Sequence, residues 1–428
     1  MRHPNRPRPA LVCLTVLCLL VAAAALRPRA GGAQVTSYTV TDLGTLGGPE
    51  SKAFGVNNSG RVVGHSQPAP GSSLPFAWMG GAMTNMNSFG GTDGGAAYAV
   101  NESGYAVGNA AVSNNNAHVF VWSDIFGKKD LGTLGGVFAT AFDINDANQI
   151  VGQSEIGQLI DRGFVWDSAN GMRQITTLGG NSSAARGINN LGQIVGYSAT
   201  RTGQTHAFLL SDGTMTDLGT LGTGSLSFAY EINDAGQVVG YSTTSTGGIS
   251  PVFHAFLYTK EGGMQDLGAL PGTSGRSVAY DINAGGEVVG YSEIARGVSR
   301  AFVWDSVNGM RDLNDLTAGS NWTLLEARSI NNRGQIVGFG TNPSGFLHAF
   351  LLTPVRDGPP ADEPAPCITA QSAITLPAPA PVQLPNKNRK ALPLSPRPFT
   401  RGTAGQGVSK RTGKGGTETQ DFISEPEP

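Results

Sequence analysis

Charged side chains make up only 14% of this 428-residue chain, and after Cys18 a single cysteine, Cys367, remains. So little charge excludes a helical bundle with a solvated face, and it excludes an ordinary charged disordered chain for most of the sequence. One cysteine excludes an internal disulfide framework, so stability must come from packing. Outside Ala10–Leu26 no apolar run could span a membrane, and that run is short for the roughly 20 residues a span needs. The chain lacks a G-x-S-x-G nucleophile elbow and a D-x-D-x-D-G calcium loop. No G-rich segment is followed by a helix pattern with a lysine, as a nucleotide-phosphate loop requires.

Glycine, by contrast, is abundant, with 61 residues. It punctuates short runs rich in Val, Ile, Phe and Tyr, which is the pattern of many strands joined by tight turns. No run has the length or the 3.6-residue period of a helix.

The chain divides into three parts. Arg2, Arg6 and Arg8 precede an uncharged apolar run, and Gly31-Gly32-Ala33 offers small residues for cleavage. Residues 1–33 therefore read as a secretory signal, which predicts a secreted, cell-surface or periplasmic protein of bacterial type, with no transmembrane span once cleaved. Cys18 follows Thr15-Val16-Leu17, which lacks the small residues of a lipidation site. Residues 34–355 form a repeat region with 24 acidic and 15 basic residues. An acidic body is a poor electrostatic match for nucleic acid. Residues 356–428 form a tail, first proline-rich, then basic from Lys387 to Lys414, with a composition that cannot bury a core.

The repeat is marked by the Asn closing each A-x-x-[IV]-N segment: Asn57, Asn101, Asn145, Asn189, Asn233, Asn283 and Asn331. Their spacings are 44, 44, 44, 44, 50 and 48 residues. Each Asn opens an Asn-x-x-Gly turn, in which the amide side chain bonds nearby backbone and Gly supplies a positive φ. In the third unit Asn148 takes the Gly position, a tolerable exchange because Asn also visits positive φ. The extra residues are expected between the second and third strands, most clearly in 242–253.

Each unit reads as four strands, and about 44 residues is the length of a propeller blade. The first three strands occur seven times. The fourth follows them six times, and the last unit runs straight into the tail. The missing copy stands at the other end, as Tyr38-Thr39-Val40-Thr41-Asp42-Leu43-Gly44. A ring explains this displacement, because the N-terminal strand would complete the last blade and leave no free edge. The expected fold is all-β: a seven-bladed β-propeller of four-stranded blades, the last closed by the N-terminal strand.

The tripeptides His206-Ala207-Phe208, His254-Ala255-Phe256 and His348-Ala349-Phe350 recur at one place in the unit. Diverged copies stand at His118-Val119-Phe120, Gly163-Phe164 and Ala301-Phe302, and D-L-G-T-L-G-G at Asp42 to Gly48 and Asp130 to Gly136. In these residues, over about Tyr38 to Leu352, the chain resembles the HAF-repeat family of extracellular bacterial proteins. The resemblance implies export and a repeated β architecture, and no catalytic residue.

Four candidate features follow. His118, His206, His254 and His348 occupy equivalent places, with Leu74, Arg162 and Arg300 in the other units. They would bind a metal only if they converged near one ion; otherwise each packs or bonds locally. The repeated Asp (Asp42, Asp130, Asp217, Asp266, Asp312) reads as a turn-stabilising acceptor. Trp78, Trp122, Trp166 and Trp304 read as core between blades, and Trp322 as a surface candidate. Glu287, where most units have Gln, and His65, where several have Tyr, break the repeat. No cofactor or metal is called for. Two functions remain: a non-catalytic binding or structural module for an extracellular glycan or protein, expected to be a monomer, or an exported hydrolase or lyase working at the channel.

Overall fold

The computed structural model describes residues 35–356 except 92–93, 113–115, 158–159, 246–251 and 273–274. The signal read at 1–33 and the tail beyond Arg356 lie outside the described residues.

Seven four-stranded antiparallel sheets are arranged as a ring. Six are built from consecutive strands, as in Ser51–Val56, Val62–Ser66, Leu74–Met79 and Ala82–Asn85. The seventh takes Thr323–Ile330, Ile336–Thr341 and Leu347–Arg356 from the C-terminal side and Val35–Asp42 from the N-terminus. That leading strand pairs antiparallel along its whole length, with Tyr38 opposite Pro354 and Asp42 opposite Phe350. The chain is thus a seven-bladed β-propeller closed by its own N-terminal strand. The first strand of every blade touches the first strands of both neighbours, which places the seven around a common axis.

The hydrophobic core lies between blades. One cluster joins Val107 and Val119 of the second blade to Ala141, Ile150 and Phe164 of the third. The Phe of each third strand (Phe76, Phe120, Phe164, Phe208, Phe256, Phe302, Phe350) is fully buried. Each such ring removed from water contributes about 1.5–3 kcal/mol. Opposite each Phe stands a second-strand Gly, Gly196 facing Phe208 for example. A Cβ on Gly196 would lie 2.0 Å from the carbonyl oxygen of Ala184. The close approach of strand to strand therefore demands glycine there.

Two sequence expectations need correction. Leu313–Leu316 forms one helical turn, capped by Asp312, where only strands and loops were expected. It takes the place of the Gly-Thr-Leu-Gly-Gly connection, and the added residues of the sixth unit sit there rather than between the second and third strands.

Candidate functional site on the propeller axis

The repeated asparagines form a closed circle. Each Nδ2 donates to the backbone carbonyl of the next blade's Asn: Asn57 to Asn101 at 2.9 Å, Asn101 to Asn145 at 3.1 Å, and Asn145 to Asn189 at 3.1 Å. The series continues from Asn189 to Asn233 at 3.1 Å, Asn233 to Asn283 at 3.0 Å, and Asn283 to Asn331 at 3.2 Å. Asn331 returns to Asn57 at 2.9 Å. Each Oδ1 meanwhile accepts the N–H four residues on within its own turn, as from Gln193 to Asn189 at 3.0 Å. The turn mechanism expected from the sequence accounts for half of what this side chain does. The other half joins neighbouring blades, and all seven residues are buried.

Just before these asparagines in the chain, every first strand carries a β-bulge at the same place, between Ala53 and Gly55 and its six equivalents. A bulge re-aims the extra side chain. The seven extra residues are Phe54, Tyr98, Phe142, Arg186, Tyr230, Tyr280 and Arg328. Each touches the next. Phe54 stacks on Tyr98 with centroids 5.2 Å apart, and Tyr98 meets Phe142 at 5.8 Å. The Arg186 guanidinium lies 3.9 Å from the Phe142 ring centroid and 5.3 Å from that of Tyr230. Tyr230 meets Tyr280 at 5.4 Å, and Arg328 lies 3.9 Å over Tyr280 and 5.2 Å from Phe54. Five aromatic rings and two cations therefore encircle the axis, each cation–π contact contributing about 0.5–2 kcal/mol.

In three first strands the next residue is an acid, Asp143, Glu231 or Asp281, whose carboxylate accepts from backbone N–H groups. Asp143 accepts from Ile144 at 2.7 Å and from Ile188 of the following blade at 2.7 Å. Asp281 accepts from Ile282 at 2.7 Å and from Ile330 at 2.8 Å, and Glu231 from Ile232 at 2.9 Å. Burial pushes Asp143 up to about 7, against the lowering pull of its two N–H donors. Burial also raises Asp281 and raises Glu231 well above the usual carboxylate range, the Asp143 and Asp281 charges adding to it in Glu231. Among the described residues, no group of three or more His, Cys, Asp or Glu side chains is placed to hold a metal ion.

Next to the bulge residues, the side chains carried by the first three strands differ from blade to blade. Tyr197, Phe228, Tyr241 and Phe253 form an aromatic arc, with Phe228 4.8 Å from both Tyr197 and Tyr241, and Tyr241 5.3 Å from Phe253. Blades one to three carry Lys52, His65, Asn109 and Gln153 instead, all half-buried. His65 is held down to about 4 by burial, with Lys52 and Arg328 adding to the effect.

The remaining candidates lie away from the axis. His118, His206, His254 and His348 do not converge. Each turns Nδ1 to the repeated Asp of its own blade's outer strand: Asp130 at 2.9 Å, Asp217 at 2.9 Å, Asp266 at 2.8 Å and Asp42 at 2.8 Å. The same Asp accepts the N–H of the Gly two residues on, as Asp42 does from Gly44 at 2.8 Å. The fourth pair unites the N-terminal strand with the last blade. Glu287 stands in for Gln at its turn, accepting from Asn283 at 2.7 Å, and is not an axial acid. Trp322 packs edge-on against Phe350 at 6.2 Å, half-buried rather than displayed.

Fold and lining together define the class: a β-propeller scaffold whose axis is furnished with chemically unequal residues. Within it, residues 213–342 match a family described as "Protein of unknown function (DUF3466)". No curated protein matches the sequence. Solved structures with a similar fold include TolB from Acinetobacter baumannii, with 11% identity over 73% of this chain and a TM-score of 0.40. This chain spans 65% of that one, just under two thirds. The β-propeller domain of the trilobed protease from Pyrococcus furiosus has 9% identity over 72% of this chain and all of its own, with a TM-score of 0.47. The Aleuria aurantia lectin, in complex with α-methyl-L-fucoside, has 12% identity over 65% of this chain and 96% of its own, with a TM-score of 0.28. Identities this low speak to fold alone.

Proposed function

We propose that this is an exported, monomeric, non-catalytic binding module of HAF-repeat type that takes an extracellular glycan at its axis. One observation carries the reading. The residues that build the blades repeat with little change, while those that face the axis do not. A sevenfold scaffold needs no such variety to stand. An asymmetric lining suits one asymmetric ligand, with the half-buried rings of Tyr197, Phe228 and Phe253, packed on the buried Tyr241, to stack on a sugar ring. Lys52, Asn109 and Gln153 of the first three blades supply hydrogen-bonding groups, Gln153 directly beside Tyr197. The test is a titration of the chain lacking residues 1–33 against neutral and acidic oligosaccharides, followed by calorimetry. Saturable binding that Phe228→Ala weakens about tenfold, a loss of roughly 1.4 kcal/mol, supports the reading. Binding that is absent, or indifferent to that change, removes it.

A second reading, a hydrolase or lyase, is favoured by the buried carboxylates Asp143, Glu231 and Asp281, since a raised carboxyl can serve as a general acid. Their backbone hydrogen bonds supply the competing explanation. Turnover of polysaccharides or esters that Glu231→Gln abolishes would establish this reading, and an inactive wild type disposes of it.

A further inference from the structure

The sixth blade departs from the repeat twice in one place. Its third strand carries Arg300 where four blades have His. Its outer strand ends in Asp312-Leu313-Asn314-Asp315-Leu316 instead of the Asp-Leu-Gly-Thr-Leu pattern. Asp312 is diverted from its usual partner: its Oδ1 accepts from the N–H and the Nδ2 of Asn314, both at 2.8 Å. Asn314 in turn clips the helical turn to the next blade through Leu324, accepting its N–H at 2.8 Å and donating to its carbonyl at 3.0 Å.

Arg300 is thereby left without a hydrogen-bond or ion-pair partner among the described residues. Beside it lies a cleft of about 620 Å³, within the usual size of a small-molecule site. Aliphatic side chains line it: Leu270, Ile294, Met310 and Leu316. Arg311 also lines it, and its Nε is buried with no hydrogen-bond partner, although its Nη2 reaches Asp305 at 3.0 Å. A half-buried guanidinium and a second unsatisfied guanidinium N–H beside aliphatic walls call for an anion with an apolar body. Two carboxylates also line the cleft, Asp312, held by Asn314, and the exposed Asp315, and they disfavour a second negative charge on the ligand.

We propose that this cleft is a binding site, separate from the axis, for a small aliphatic monocarboxylate. Its carboxylate sits on Arg300, and its hydrocarbon lies along Ile294 and Met310. The test uses the chain lacking residues 1–33, with ¹³C-methyl methionine, titrated with hexanoate, hexanol and hexylamine. The Met310 methyl signal is identified by its loss in Met310→Leu. Hexanoate is expected to shift that signal saturably, with hexanol at least about tenfold weaker. Arg300→Gln is expected to remove this preference and leave hexanol binding unchanged, and Arg300→Lys to restore part of it. Equal binding of hexanoate and hexanol by the wild type overturns the proposal, and needs no variant to fold. So does hexanoate binding that is unchanged in Arg300→Gln, or a response at methionines other than Met310.

Discussion

Two circles of seven residues run round the same axis, the buried asparagines and the bulge residues that stand three positions before them in the chain. The first is one residue seven times over, and each copy does the same two jobs. The second mixes Phe, Tyr and Arg. The difference separates what the ring needs from what it displays. An asparagine must satisfy a turn and a neighbouring carbonyl with fixed geometry, and no other side chain offers a donor and an acceptor at that length. A bulge residue need only reach its neighbours, which an aromatic ring or a guanidinium on aromatic faces achieves equally well.

The largest effect is expected from weakening the blade at which both circles close. Removing Val35–Asp42 leaves the last blade's third strand as a free edge. The thermal midpoint is expected to fall by more than about 10 °C, with loss of a single cooperative transition in calorimetry. Next in size are changes to the blade itself. Phe208→Ala empties a fully buried site and is expected to cost about 3–5 kcal/mol in chemical denaturation. Gly196→Ala is expected to cost several kcal/mol for the opposite reason, since its Cβ has no room.

The two circles should then part company. Asn189→Ala leaves two turn N–H groups without their acceptor and takes one of two donors from the Asn233 carbonyl, and is expected to cost about 2–3 kcal/mol. The equivalent change in any other blade should cost much the same. Tyr98→Phe in the bulge circle keeps the ring contacts and is expected to cost less than about 1 kcal/mol. Equal losses at the two positions would erase the distinction.

The pH dependence of stability sharpens it further, with smaller effects. Asp143 is raised on folding, so its contribution is fully present below its unfolded value near 4 and is lost as pH climbs through about 7. His65 is lowered on folding, so its contribution is present above about 6.5 and is lost as pH falls toward about 4. The two slopes oppose each other across the same window. Asp143→Asn is therefore expected to make stability rise more steeply with pH between about 4 and 7, and His65→Gln to make it fall. Thermal midpoints read across that window check both signs. Variants that leave the profile unmoved would show that neither group titrates there.

The architecture was legible in the sequence because its causes are local and repeated. A turn of Asn-x-x-Gly, a Gly facing a Phe, and a displaced fourth strand each leave a mark at a fixed spacing. The lining of the axis was not legible, because the A-x-x-[IV]-N pattern treats the bulge residue as an unspecified position. Reading Phe54, Tyr98, Phe142, Arg186, Tyr230, Tyr280 and Arg328 down the aligned units would have shown seven bulky residues in an otherwise small-residue strand. The repeated His and Asp were each noticed, yet their pairing was missed. They belong to strands paired in space and stand about a dozen residues apart, with the fourth pair 306 residues apart. The cleft beside Arg300 is marked in the sequence only as a lapse of the repeat, and what that lapse opens depends on how the helical turn is clipped to the following blade.

The ring itself is tested most directly by a cross-link across the closing strands. Thr39 and Thr353 are opposed partners although 314 residues apart in sequence. In the chain lacking residues 1–33, and so Cys13 and Cys18, with Cys367 replaced by serine, Thr39→Cys and Thr353→Cys together should oxidise to a monomeric disulfide in the folded protein. Tying a loop that long should raise stability by about 4–5 kcal/mol. A folded protein whose two thiols stay free, or join only between molecules, would contradict the closed ring.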